Sequence, residues 1–221
     1  MQAVKLAAAG TIGYVLGMFP TADLVARRVS GGTVDLRSTG SGNPGSANAA
    51  SVLGTKAGAV VLIGDITKGA AASAIGSAIA GPAGAHVGGV AAVYGHCYPV
   101  WNGFRGGKGV ATGTGQCLAT FPAYFPIDAA VGIATVAMPR WRQRAFAATA
   151  AASACWIAGG LVWWKRGWPN WWGPRPTALL PLAAAASGAA ITQRFLAGSA
   201  HQTSPTEAID STIATPERTD A

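Results

Sequence analysis

Apolar runs dominate the chain, and seven of them read as membrane-crossing helices: residues 3–26, 57–80, 83–100, 108–121, 123–138, 145–164 and 176–197. A spanning helix needs roughly 20 predominantly apolar residues. The third and fourth runs are shorter and Gly-rich, so each fits a half-span or a re-entrant segment as well as a full crossing. Ala, Gly and Ser recur through the runs, which suits close helix–helix approach in lipid. The pattern therefore predicts an all-α fold, a polytopic membrane helical bundle of about seven transmembrane helices. Lys5 followed by an apolar run also fits a secretory signal. The run passes straight into Asp23 and Arg27-Arg28 without a small-x-small cleavage pattern, so an uncleaved helix is expected.

Composition points the same way. The 221 residues are 50% hydrophobic and only 11% charged, against about 25% charged in an average soluble domain. A soluble chain of this size must keep a polar shell, and too few charges exist to make one. The formal net charge of +8 would suit nucleic acid, but the bases sit in short loops between apolar runs, as the positive-inside rule requires. With seven crossings, Arg27, Arg28, Arg37, Lys56, Arg105, Lys108, Arg140, Arg142 and Arg144 fall on one side. Lys5, Lys165, Arg166 and Arg175 fall on the other. The richer side, with the C-terminus, is expected to face the cytoplasm of a bacterial inner membrane.

Three cysteines, Cys97, Cys117 and Cys155, lie in apolar stretches with no metal or disulfide spacing. They read as small hydrophobes in helices. Cys97 adjoins His96, but helix neighbours point about 100° apart, so no dyad forms. Trp163, Trp164, Trp168, Trp171 and Trp172 cluster near one boundary and read as an interfacial belt. Residues 200–221, rich in Ser, Thr, Pro and acids, are expected to be a disordered tail beyond a transmembrane domain at 1–199.

Three polar features carry the candidate chemistry. In the first, Gly40-Ser41-Gly42-Asn43-Pro44-Gly45-Ser46-Ala47-Asn48, followed by Leu53-Gly54-Thr55-Lys56, can turn several N–H donors toward an anion. It matches the dinucleotide fingerprint literally, yet no strand precedes it and no βαβ unit surrounds it. A merely flexible loop is the plain alternative. The second runs from Gly95-His96-Cys97-Tyr98-Pro99 into Phe104-Arg105-Gly106-Gly107-Lys108-Gly109. Lys108 between glycines suits a phosphate, but Gly109 stands where a Walker loop needs its metal-holding hydroxyl. His96, near a membrane end, is either structural or part of the site. The third is Asp65 and Lys68, spaced to share one helix face inside a span. Charges there need partners, so a structural ion pair is preferred over substrate contact.

Together these residues resemble the bacterial acyl-phosphate:glycerol-3-phosphate acyltransferases, the PlsY family. The resemblance covers about 5–200 and is strongest over 38–112, in the glycine motifs above, Asp65-x-x-Lys68-Gly69, and the run from Gly95 to Thr112. It implies cytoplasmic catalytic loops and acyl transfer from acyl phosphate to glycerol 3-phosphate, giving lysophosphatidic acid in phospholipid synthesis. No metal, cofactor or acyl carrier is implied; the partners are the two small substrates and the lipid bilayer, with no nucleic acid. Carried over residue by residue, Lys108, Ser41 and His96 are catalytic candidates. Gly42, Asn43, Gly45, Ser46, Asn48, Lys56, Arg105, Gly106 and Gly107 are substrate-binding candidates.

Ser51 stands where the family usually has an acceptor-holding Arg. Gly188 and Ile191 stand where a His and an Asn precede an arginine that aligns with Arg194. Arg142 and Arg144, in a loop the family fills with a Ser-containing segment, either hold the acceptor's phosphate in place of those residues or anchor the helix to anionic lipid. Pro44 removes one backbone donor from the first loop. A relative that does no chemistry but binds an anionic lipid, or scaffolds a complex, is the alternative from another class. A small transporter is weaker, because no inverted repeat is visible.

Overall fold

The structure, a computed structural model, describes residues 1–137 and 144–200, without the side chains of residues 132, 135–137, 144 and 198–200. Its elements are α1 (Gln2–Gly17), α2 (Thr21–Ser30), α3 (Ser46–Leu53), α4 (Thr55–Cys97), a 3-10 turn at Val100–Asn102, α5 (Val110–Thr120), α6 (Phe125–Ala137), α7 (Arg144–Arg166) and α8 (Leu179–Ala200). No strand occurs among the described residues.

The first apolar run is not one helix. Pro20 has no N–H and pushes the residue before it out of helical geometry, so α1 stops at Gly17 and α2 restarts at Thr21. The second and third runs are two legs of α4, divided where Ala80 and Gly81 leave helical angles. Gly81 takes φ 68°, which suits a residue without Cβ. The legs then fold back on each other, with Gly76 against the Gly84 backbone and Gly88 against Ala72. The fourth run becomes α5, whose 11 residues reach about 16 Å at 1.5 Å per residue. That is roughly half of a 30 Å hydrocarbon core.

Among the described residues, four helical stretches are long and apolar enough to cross a bilayer: Gln2–Ser30, Thr55–Asn102, Ala145–Arg166 and Leu179–Ala197. The second holds both legs of α4. Exposed side chains on them, such as Val60, Ile63, Leu161, Val162 and Leu182, are large and apolar. In water these would be costly; in lipid they are solvated.

Two packing styles divide the bundle. Against α1 and α5, α4 approaches backbone to backbone. A methyl on Gly13 would strike the Gly88 carbonyl, one on Gly69 the Thr112 carbonyl, and one on Gly115 the Ile66 carbonyl. Where α5, α7 and α8 meet, bulky rings fill the core instead, with Phe121, Tyr124, Trp156 and Leu180 buried together. Trp163 joins them, edge-on to Phe121 at 5.4 Å, so this member of the expected belt turns inward. Trp171 and Trp172 remain exposed.

The contacts also sort the loops by end. Gln2 Nε2 donates to Ala80 O (3.3 Å), and Asn170 Nδ2 donates to Thr120 O (2.9 Å), both far from the polar loops. Trp172 Nε1 donates to Leu118 O (3.3 Å). The last carbonyls of α5 have no partner within their own helix and need such donors. The loop at 168–176 folds inward to supply them. At the opposite end, residues 31–45 and 98–109 come together.

Candidate functional site

The first polar loop closes on its own following helix. Asn48, buried in the first turn of α3, accepts from the Ser41 N–H at 2.8 Å through Oδ1. Its Nδ2 donates to the Leu36 and Thr39 carbonyls, both at 2.9 Å. All three partners lie within twelve residues of it, so this turn is held locally. Ser41 and Gly42 stay exposed. No side chain caps α3, which leaves its first N–H groups for an anion.

The second loop is held from elsewhere. The Gly106 N–H donates to Cys97 O and the Gly107 N–H to His96 O, both at 3.1 Å. From α8, Arg194 donates through Nη2 to Gly106 O at 2.6 Å and through Nε to Gly107 O at 3.3 Å. With the Gly107 carbonyl turned toward α8, the planar trans peptide turns the Lys108 N–H the other way. Gly109, at φ 84°, precedes α5 with no side-chain cap. The N–H groups of Lys108, Gly109 and Val110 have no backbone acceptor among the described residues. Such a helix start favours negative charge. Lys108 Nζ lies 4.2 Å from the Phe195 ring centroid. Burial there holds the half-buried ammonium below the ordinary lysine value.

Between the loops is a small polar depression. Asp65 Oδ1 lies 2.8 Å from Lys68 Nζ and 3.7 Å from His96 Nδ1. Lys68 also donates to Phe19 O at 3.2 Å, a carbonyl at the Pro20 break. These groups floor a cavity of ≈ 30 Å³ whose walls include Asp23, Arg37, Pro44, Trp101, Gly106 and Gly107. Arg37 makes a bidentate pair with Asp23 (Nη2 to Oδ2, 3.1 Å) and donates through Nε to Arg105 O at 3.4 Å. The two loops and α2 are thereby joined. Two acids, Asp23 and Asp65, each face a base on the wall, so Arg37 and Lys68 are already neutralised.

The structure thus brings His96, Asp65, Lys68, Gly106 and Gly107 onto one cavity, with Pro44 from the first loop. Ser41, Gly42, Asn43, Gly45 and Ser46 belong to the adjoining turn and are not on that wall. Asn48 spends its amide on the loop backbone, which makes it a positioning group. Lys56 is exposed at the start of α4, and Arg105 is exposed, its N–H donating to Asn102 O and its carbonyl accepting from Arg37 and Asn102. Arg142, and the side chain of Arg144, lie outside the described residues, as does the stretch 201–221. No group of three or more His, Cys, Asp or Glu suited to a metal occurs among the described residues.

Sequence reasoning gave no site role to Asp23, Arg37, Phe195 or Arg194, although it placed Arg37 on this side and aligned Arg194 with a family arginine. The available signal for Arg194 was a cation near the end of an apolar helix, which must find an interior partner. Among the departures, Ser51 is exposed on α3. Ile191 is buried, packed with Val93 and Cys97 beneath Gly109, so an apolar side chain lies next to the lysine loop.

Architecture and site together define a polytopic helical membrane protein whose two glycine loops adjoin one small polar cavity at one end of the bundle. The family model described as glycerol-3-phosphate acyltransferase matches residues 7–195, and the chain belongs to that family. A glycerol-3-phosphate acyltransferase of Exiguobacterium sibiricum is 48% identical over 114 residues, covering 52% of this chain and 54% of the relative. That of Syntrophotalea carbinolica is 39% identical over 158 residues, covering 71% and 77%. For the first of these, and for the Rubrobacter xylanophilus relative at 55%, the match spans about half the relative's length. Among solved structures, the glycerol 3-phosphate form of PlsY (YgiH), an integral membrane glycerol 3-phosphate acyltransferase, superposes with TM-score 0.69 at 27% identity. The superposition covers 89% of this chain and 91% of that one. The lysophosphatidic acid form gives 0.68.

Proposed function

We propose that this chain is a membrane acyltransferase that moves an acyl group from acyl phosphate to glycerol 3-phosphate, releasing lysophosphatidic acid and phosphate. One observation carries the reading: the two glycine loops of the matched family adjoin one cavity at one end of the bundle, the first reaching its wall through Arg37 and Pro44 and the second through Gly106 and Gly107. In the reaction the acceptor hydroxyl attacks the acyl carbon, the bond from that carbon to the phosphate oxygen breaks, and the hydroxyl proton ends on the departing phosphate. Acyl phosphate is already activated, so the protein needs mainly to position two phosphates and stabilise developing charge. The free N–H groups at the α5 start and the Lys108 ammonium suit the phosphate that leaves. The uncapped start of α3 beside Ser41 suits a second phosphate. His96 supports the lysine loop through its carbonyl, and its ring fills the space under Gly107 where a methyl would not fit.

In this reading residues 1–199 form the transmembrane domain in a bacterial inner membrane, with both polar loops facing the cytoplasm, where the charge bias puts them. Arg142 and Arg144 remain the proposed acceptor cations in place of the residues replaced by Ser51, Gly188 and Ile191. Purified protein given acyl phosphate and labelled glycerol 3-phosphate is expected to form labelled lysophosphatidic acid. Lys108→Ala is expected to remove at least 99% of that turnover, since a lost charged group in a preorganised site costs about 10²–10³-fold. Folded wild-type protein that yields no product above background would overturn the proposal.

A further inference from the structure

The ≈ 30 Å³ cavity holds about one water, far less than any phosphorylated substrate needs. Outside it is a second cavity of ≈ 500 Å³, lined by α2, residues 32–37, Trp101 and Asn102. A space of that size is in the range of small-ligand sites. Both cavities share Pro20, Asp23, Arg37 and Trp101 as walls. The bidentate Asp23–Arg37 pair therefore stands in the partition between the two.

A guanidinium fork fits a carboxylate and a phosphate by the same geometry. Arg37 is only partly exposed, at 26% of its side chain; its guanidinium also donates to the Arg105 carbonyl of the lysine loop and lies 4.0 Å from Asp35. On the outer cavity's wall Arg27 is exposed and has no carboxylate within ion-pair distance among the described residues. We propose that Asp23 holds the place of a substrate phosphate on Arg37, and that a phosphate group lodging in the outer cavity displaces it. The displaced partition joins the two cavities and delivers the phosphate to the lysine loop. This inference rests on the acyltransferase reading, since it gives that site its phosphate entry.

The placeholder has a signature of unusual sign: removing it tightens binding. If the pair is closed about nine-tenths of the time, apparent affinity is about tenfold weaker than that of the open state. Binding of inorganic phosphate and of glycerol 3-phosphate to the full-length protein, by titration calorimetry, is expected to tighten at least fivefold in Asp23→Asn. Asp23→Ala gives a second variant of the same sign, so one folded protein of the two suffices. The control is Asp35→Asn, which removes an equal charge 4.0 Å from Arg37 but no partition; it is expected to shift affinity less than twofold. Arg37→Gln is expected to weaken phosphate binding at least tenfold. The KM values separate the sources: a fall for glycerol 3-phosphate alone assigns Arg37 to the acceptor, a fall for acyl phosphate alone to the donor. Unchanged or weaker binding in both Asp23 variants, or equal tightening in Asp35→Asn, overturns the placeholder. An inactive wild type sinks the acyltransferase reading instead, so the two failures stay distinct.

Discussion

The two glycine loops are built from similar residues and are held in opposite ways. In the first, at 31–45, the turn over 36–41 is folded by Asn48 from the helix that follows it directly, with Arg37 alone reaching out to Asp23 and Arg105. The second, at 98–109, hangs on the His96 and Cys97 carbonyls and on Arg194, nearly ninety residues further along the chain. Local restraint orders a turn as soon as its own helix forms. Remote restraint makes the lysine loop depend on whether α8 has docked, so its geometry reports the integrity of the whole bundle.

That difference is broken most directly at Arg194. Its guanidinium donates to two carbonyls, and hydrogen bonds to charged groups contribute about 1.5–3 kcal/mol each. Arg194→Ala is expected to lower kcat by about 100-fold through Lys108 misplacement, on the 1.4 kcal/mol-per-decade scale. Amide hydrogen exchange should rise over 104–109 while 38–48 stays protected. Equal deprotection of both loops would mean that α8 holds the bundle and not this loop.

Asn48→Ala probes the local side. The substitution deletes a buried amide and strands three backbone groups, at a cost of about 1–3 kcal/mol per unsatisfied group. Part of that is recovered because the loop can open to water. We expect about tenfold loss in kcat/KM, with exchange now rising over 36–46 and not over 104–109. Asn48→Asp should recover the Ser41 contact but not the two donated to carbonyls.

The same division explains what could be read from the chain alone. Seven apolar runs, the break near residue 81 and the two glycine motifs follow from local pattern, and each has its counterpart in the fold. The expected single first helix did not, because Pro20 was absorbed into an apolar run and its missing N–H overlooked. Asp23–Arg37, Arg194 with Gly106 and Gly107, and the Asn170 cap on α5 join residues far apart in sequence. Hydropathy carries no information about such partners. Trp163 makes the point for apolar groups: its ring packs on Phe121 and Tyr124, a neighbourhood that only the tertiary fold creates.

A gentler probe is pH. Burial lowers the Lys108 ammonium from the ordinary lysine value of 10.5. The protonated form is the one that neutralises phosphate, and it is lost as pH rises through the lowered value. The alkaline limb of kcat/KM, which reports the free enzyme, is therefore expected below the ordinary lysine range. Lys108→Arg should carry reduced activity without that limb, since arginine stays charged. A limb that persists in the arginine variant belongs to another group.

The smallest effect is expected at Tyr14 on α1. Its hydroxyl donates to Tyr98 O at 2.5 Å, just where α4 ends and the lysine loop begins. The Tyr98 ring in turn lies 5.7 Å from the Arg194 guanidinium, and its hydroxyl donates to Gln193 at 3.1 Å. Tyr14→Phe keeps the packing and removes one neutral hydrogen bond, about 1 kcal/mol. If that bond steers the loop through Tyr98, kcat should fall about threefold in wild type and hardly at all in the Arg194→Ala background, where the loop is already loose. Equal losses in both backgrounds would assign Tyr14 to helix packing. Non-additivity between residues on the first and last helices would instead place both on the same remote restraint of Lys108.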